Sequence, residues 1–142
     1  MISADTNLFL YAANPDSPFQ TAAKTILEKQ LEEFVTCELV LIEIYMLLRN
    51  PAVLSSPLSS ELSANFCNNL RAHPKWQHVD YEPSVSPQLW NWAKQTSAGF
   101  RKIIDARLAF TLLEHGVTEF ATVNVKDFKE FGFQKVWNPL QN

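Results

Sequence analysis

Only three glycines occur in the 142 residues. A Gly-rich phosphate loop or a dinucleotide fingerprint needs several at fixed spacing, so both are excluded. Two cysteines, Cys37 and Cys67, are too few for a disulfide framework or a zinc site. Each lies in an apolar stretch and reads as a buried free thiol, which fits a reducing compartment. No run of 18 apolar residues exists, so no membrane span is expected. The opening Met1-Ile2-Ser3-Ala4-Asp5 has no basic segment and soon meets a carboxylate, so no secretory leader is expected. A cytoplasmic address follows. His73, His78 and His115 lack metal-ligand spacing and read as surface or capping residues, with His115 near a helix C-terminus. No internal repeat or low-complexity segment stands out.

What is there describes a globular chain. Apolar residues make up 46% and charged residues 19%, with ten Phe and four Trp as bulky core material. The length fits one domain over residues 1–142, able to build a core without disulfides. The net charge of −3 is uneven. Residues 1–70 hold 3 basic and 8 acidic residues, whereas residues 71–142 hold 9 basic and 7 acidic. The C-terminal half is therefore slightly basic, which suits either a polyanion or an ordinary solvated surface.

Short apolar strands alternate with helices along the chain. Strands are expected at Met1 to Ala4, Phe34 to Thr36, within Trp76 to Tyr81, at Phe120 to Val123, and as a last edge strand at Val136-Trp137. A short helix is expected from Asn7 to Ala13. Ser17, Pro18 and Gln20 predict a capping box and a helix running to about Leu31. Further helices are expected at Glu38 to Leu48 with Pro51 beyond its end, and from Ser59 or Ser60 to about Leu70. Ser86-Pro87 opens another, which contains Trp90 and Trp92. Ile103 to His115 is a helix stopped by Gly116. This alternation argues for an α/β fold, a three-layer sandwich with a central parallel sheet covered by helices on both faces. Sites in such sheets form at the carboxyl ends of the strands. Asp5, Asn124 and Asp127 are expected there.

Three carboxylates adjoin apolar framework. Glu43 has Leu39, Val40, Met46 and Leu47 one turn away, which predicts that it lies on the buried face of its helix. An unpaired buried carboxylate must neutralise, find a partner or bind a metal. Asp105 has Leu108, Ala109 and Leu112 on its face, but its first-turn position also suits a helix cap. Asp5 ends the first strand, where a cap for the next helix and a metal ligand are both open readings. Taken together, the three suit Mg²⁺ or Mn²⁺, whose natural ligands are carboxylate oxygens.

Four elements in order resemble PIN domains: Ile2-Ser3-Ala4-Asp5-Thr6-Asn7, Leu41-Ile42-Glu43-Ile44, Ile104-Asp105-Ala106-Arg107-Leu108-Ala109, and Ala121-Thr122-Val123-Asn124-Val125-Lys126-Asp127-Phe128. Leu48-Arg49-Asn50-Pro51 and the terminal Trp137-Asn138-Pro139-Leu140 are similar to one subgroup of VapC toxins. The resemblance covers nearly the whole chain. It implies a Mg²⁺- or Mn²⁺-dependent endoribonuclease acting on RNA, usually a homodimer, inhibited by a small antitoxin. It makes Asp5, Glu43 and Asp105 the metal carboxylates. The fourth acidic position is Asn124, which loses one negative charge where many relatives carry Asp. Asp127 either compensates or caps the turn into Phe128, and capping is the preferred expectation. Thr6 and Asn7 either orient Asp5 and a metal-bound water or make local turn bonds, and Thr122 has the same two readings towards Asp105. Arg101, Lys102, Arg107 and Lys126 are candidate contacts to RNA phosphates.

Two other readings compete with this one. A haloacid-dehalogenase-like site wants a second Asp where Asn7 stands, and a receiver domain wants an acidic pair that is missing. A PIN-like RNA- or protein-binding domain with a weakened metal site stays open, favoured by Asn124.

Overall fold

The computed structural model describes residues 1–29 and 33–141. In these residues five strands, β1 (Ile2–Ala4), β2 (Phe34–Cys37), β3 (Gln77–Val79), β4 (Glu119–Ala121) and β5 (Lys135–Trp137), pair in parallel throughout, in the order β3-β2-β1-β4-β5. Every residue of β2 is buried, as expected of a parallel strand with helices over both faces.

Seven helices connect them: α1 (Thr6–Ala13), α2 (Gln20–Lys29), α3 (Glu38–Leu48), α4 (Ser60–Arg71), α5 (Ser86–Gln95), α6 (Lys102–Glu114) and α7 (Val125–Phe128). The chain moves from β1 through β2 to β3 in one direction, then crosses back to β4 and β5. Right-handed crossovers therefore put α1 to α4 on one face and α5 to α7 on the other. The helix contacts follow that division, with α1 against α2 and α3, α3 against α4, and α6 against α5 and α7. Strand order reverses between β1 and β4. A cleft opens at such a switch point, beyond the carboxyl ends of the strands.

The core fills both layers. Phe9, Phe34, Ile44, Leu112 and Phe120 are almost wholly buried. The Phe120 ring stacks on Phe133 at 5.2 Å and meets Phe128 at 4.7 Å, tying β4 to the start of the last segment. Truncating a buried Phe of this kind to Ala costs about 3–5 kcal/mol.

Local signals explain most element ends. The Ser59 side chain caps α4 by accepting from Leu62 N. Gly116 sits past the end of α6 with φ +84°. Gly116 N donates to Leu113 O, and Val117 N to Leu112 O, the paired bonds of a Schellman ending.

Two expectations are corrected. The capping box at Ser17 does not form: Ser17 Oγ accepts from Phe19 N, the Gln20 amide donates to Ala12 O, and α2 begins only at Gln20. The expected end of that helix at Leu31 lies outside the described residues. His78 is not a surface residue. It bridges Thr36 and Glu38, and Glu38 also holds Arg71. Partial burial raises the Glu38 pKa, but the bonds from Arg71 and His78 prevail and hold it below the usual carboxylate range. His115 caps α6, as expected. Cys37 is buried and its thiol is pushed up to about 11 by that burial; both cysteines are free. No helix in the described residues is long and apolar enough to cross a membrane.

Candidate active site

β1 delivers Asp5. Its backbone N donates to Ala121 O, which extends the β1–β4 ladder one step past the strand and fixes where the side chain emerges. Asp5 Oδ1 accepts from Thr6 N at 2.8 Å, so the residue caps α1. Asp5 Oδ2 accepts from the Thr122 hydroxyl at 2.8 Å. Capping thus occupies one oxygen and leaves the other aimed by Thr122, so the two readings of Asp5 are compatible. Thr122 in turn accepts from Asn124 N at 3.0 Å. The sequence expectation that Thr122 orients Asp105 is corrected by this pair.

Thr6 has a second task. Its hydroxyl donates to Glu43 Oε2 at 3.0 Å. Glu43 does not lie on the buried face of α3: that face is Val40, Leu41, Ile44 and Leu48, and Glu43 is exposed. The helix is apolar nearly all round, so its pattern did not say which side the sheet would cover. The other side, with Leu39, Ile42 and Met46, faces the cleft beside Glu43.

Asp105 enters from the first turn of α6. It does not cap that helix, whose first turn has no side-chain cap bond. Among the described residues its carboxylate accepts no hydrogen bond. It lines the same cleft of about 350 Å³ as Asp5, Glu43, Asn124 and Asp127.

Asp127 does not cap the final short helix. It lies 3.6 Å from Lys102 Nζ, and Lys102 also donates to the Asp127 carbonyl. Its charge is felt by both Asp5 and Asp105. The sequence offered this orientation only as the alternative to capping. The signal lay in the three-residue step from Asn124, which puts both residues on one side of a single helical turn.

The carboxylates raise one another. Burial pushes Asp5 up, against its bonds from Thr122 and Thr6, and Asp127 adds to the rise. Glu43 keeps much of its surface in solvent, and the partial desolvation of its carboxylate in the cleft still raises it, opposed by Thr6 and reinforced by Asp5. Asp105 is pushed up to about 6 by burial; Lys102 opposes this, and Asp5, Asp127 and Glu43 add to it. Among the described residues, no three His, Cys, Asp or Glu side chains stand close enough together to hold a metal ion as they are placed. In kind the donor set suits a hard divalent cation: every candidate donor is an oxygen, and Lys102 and Arg107 offset only part of the negative charge. Neither Asp5 nor Glu43 pairs with a Lys or Arg among the described residues.

The other expected residues divide. Asn7 and Arg107 line the cleft, and Arg107 Nε is buried there without a hydrogen-bond partner. Arg101 and Lys102 line a neighbouring hollow. Lys126 lies on the far side of Asn124, in a separate depression.

A parallel sheet in the order β3-β2-β1-β4-β5, with acidic side chains gathered at its switch point, defines a PIN domain, and the family profile of that description matches residues 2–134. The chain belongs to the PIN-domain family, among its VapC ribonucleases. It is 42% identical over 142 residues to Ribonuclease VapC24 of Mycobacterium tuberculosis, covering 99% of this chain and 97% of that protein. Two solved structures are similar in fold. One is VapC20 of Mycobacterium tuberculosis, a sarcin–ricin-loop-cleaving toxin, with TM-score 0.66, 16% identity, and 84% and 87% of the two chains covered. The other is VapBC2 from Rickettsia felis, bound to a promoter DNA fragment, with TM-score 0.64, 16% identity, and 97% and 98% covered. At those identities the two structures establish the fold alone.

Proposed function

We propose that this chain is an endoribonuclease that hydrolyses RNA phosphodiester bonds with Mg²⁺ or Mn²⁺ held by Asp5, Glu43 and Asp105. The observation that carries the reading is the facing of these three carboxylates, from distant parts of the chain, into one cleft where each is pushed up by full or partial desolvation and by its acidic neighbours. When bound, the ion polarises the scissile phosphate and makes water a better nucleophile.

The chain's own groups have separate tasks. Thr122 and the Thr6 backbone hold Asp5 from both oxygens. The Thr6 hydroxyl holds one oxygen of Glu43 and leaves the other to take the proton of the attacking water. The water oxygen bonds to phosphorus as the bond from phosphorus to the 3′ oxygen breaks. The products carry a 5′-phosphate and a 3′-hydroxyl. Arg107, buried and unpartnered at Nε in the cleft, is the group best placed to meet the charge on the phosphate. Arg101 and Lys126 flank the cleft and would hold neighbouring phosphates, and Lys102 would do so after leaving Asp127. Asn124 contributes an amide where a further carboxylate would sit.

A small antitoxin and a second copy of the chain are the proposed protein partners, and the cytoplasm the proposed location. Trp90, 58% exposed, is available to a partner, whereas the Trp92 indole is half-buried and donates to Glu130. Asn124 favours a second reading, a PIN-like binding domain with a weakened metal site.

An RNA cleavage assay decides between the two. Cleavage should require Mn²⁺ or Mg²⁺ and vanish in Asp5→Ala and Asp105→Ala chains that keep their circular dichroism. Cleavage that persists in both variants, or in excess chelator, removes the proposed mechanism. An intact chain that binds RNA without cutting it establishes the binding domain instead.

A further inference from the structure

The loop that leads into α6 carries an aromatic ring in an unusual place. Phe100 is 87% exposed, the largest exposure of any large apolar side chain described. The loop is anchored on both sides of it: Ala98 N donates to the Thr96 hydroxyl, and Lys102 N donates to Gly99 O. The Arg101 guanidinium lies 5.6 Å from the centre of the Phe100 ring, and Arg101 makes no ion pair among the described residues. Ring and guanidinium line a hollow of about 940 Å³ that shares Ile104, Asp105 and Asp127 with the acidic cleft. An open aromatic face, a free cation and continuity with a phosphate-cleaving centre are the parts of a single-stranded nucleic-acid groove.

We propose that Phe100 and Arg101 form a stacking subsite for an unpaired RNA base next to the scissile phosphate. The proposal rests on the ribonuclease reading and adds to it two residues that would hold a base beside the cut. Stacking explains why the ring is held out in solvent on an anchored loop, where a packing role would bury it. Every base has a flat π-face, so the subsite selects for an unstacked strand more than for a base identity. Arg101 then serves twice, through its charge on the backbone and its plane against the base.

The test uses the full chain with Asp105→Asn to prevent cleavage, and a short single-stranded oligouridine bearing one internal 2-aminopurine as probe. Stacking quenches the fluorescence of this base. Chains with Phe100 or Phe100→Trp should quench it. Phe100→Ala should abolish the quench and weaken binding by about 5- to 100-fold, the range set by loss of one base–aromatic stack. Phe100→Leu keeps an apolar side chain without a π-face and should also lose the quench. The exposure of Phe100 predicts an unchanged melting temperature in all three. Equal binding and quenching by Phe100→Ala overturns the subsite and leaves the nuclease reading standing. A change confined to oligomeric state in sedimentation also overturns it, by making the ring a contact between copies. Failure of the Asp105→Asn parent to bind the probe overturns the subsite, and the separate cleavage assay on the unmodified chain then decides the ribonuclease reading.

Discussion

The Thr122 hydroxyl reaches across the β1–β4 seam and donates to Asp5 Oδ2 at 2.8 Å, joining residues 117 positions apart. Thr122 is fully buried, and its oxygen also accepts from Asn124 N, so one hydroxyl links the two strand ends to the start of α7. A carboxylate held this way has little freedom to turn from the cleft.

Thr122→Val keeps the shape and removes the bond. Mn²⁺ affinity, measured by calorimetry, should fall about 10- to 100-fold, the usual effect of losing a group that orients a ligand. Leaving Asn124 N without its acceptor should cost about 1–3 kcal/mol in denaturant unfolding. Thr122→Ser should restore most of both. Unaltered metal affinity in the valine variant would show that Asp5 needs no such support.

Asp105→Asn separates function from stability. On the proposed ligand role of Asp105, cleavage should drop at least about 100-fold, more than for a group that only orients a ligand. Without added metal, the melting temperature at neutral pH should rise by a few degrees, because a destabilising charge has been removed. A lower melting temperature would mean that the Asp105 carboxylate has a structural partner.

The pH dependence has a defined sign. Asp105 titrates near 6 when folded against an ordinary value of 3.8. Between those values the folded chain binds more protons than the unfolded one, so its stability without metal should rise as pH falls through about 6. Asp5 and Glu43 are raised as well and act in the same direction. With Mn²⁺ present the trend should reverse, since binding needs the deprotonated groups. Melting temperatures at about pH 5 and about pH 7, with and without Mn²⁺, test both signs, and parallel curves would contradict a cation site.

Asn124→Asp restores the missing charge. Mn²⁺ should bind more tightly, with a second ion detectable in the titration, and the metal-free chain should melt at a lower temperature. An identical isotherm would show that position 124 does not face the ion.

Gly116→Ala tests the fold alone. Its φ of +84° strains any side chain, whereas the Met1 methyl 2.9 Å from an added Cβ can swing away. The cost should be about 1–2 kcal/mol, or a melting-temperature drop of about 2–8 °C, with metal affinity unchanged.

Helix and strand identity was legible wherever a local rule governs it. Glu38–Leu48 begins after a buried strand and ends before Pro51, and Gly116 closes α6 as its lack of a Cβ allows. The apolar run of β2 announced a strand covered on both faces. The order of the four acidic elements was also visible, because each is a short stretch with its own pattern. By contrast, the face of α3 that carries Glu43 was not legible, since a helix apolar on nearly all sides does not mark which side the sheet will cover.

Local chemistry along the chain therefore determined which residues form each element and which carboxylates stand at element ends. Tertiary structure alone decided that Thr122 serves Asp5, that Asp127 turns towards Lys102 and the cleft, and that Phe100 stands beside the same centre. Those relations depend on β1 and β4 becoming neighbours at the point where strand order reverses. That adjacency is set by burial of whole helix layers over the sheet, a sum over distant residues that no short window contains.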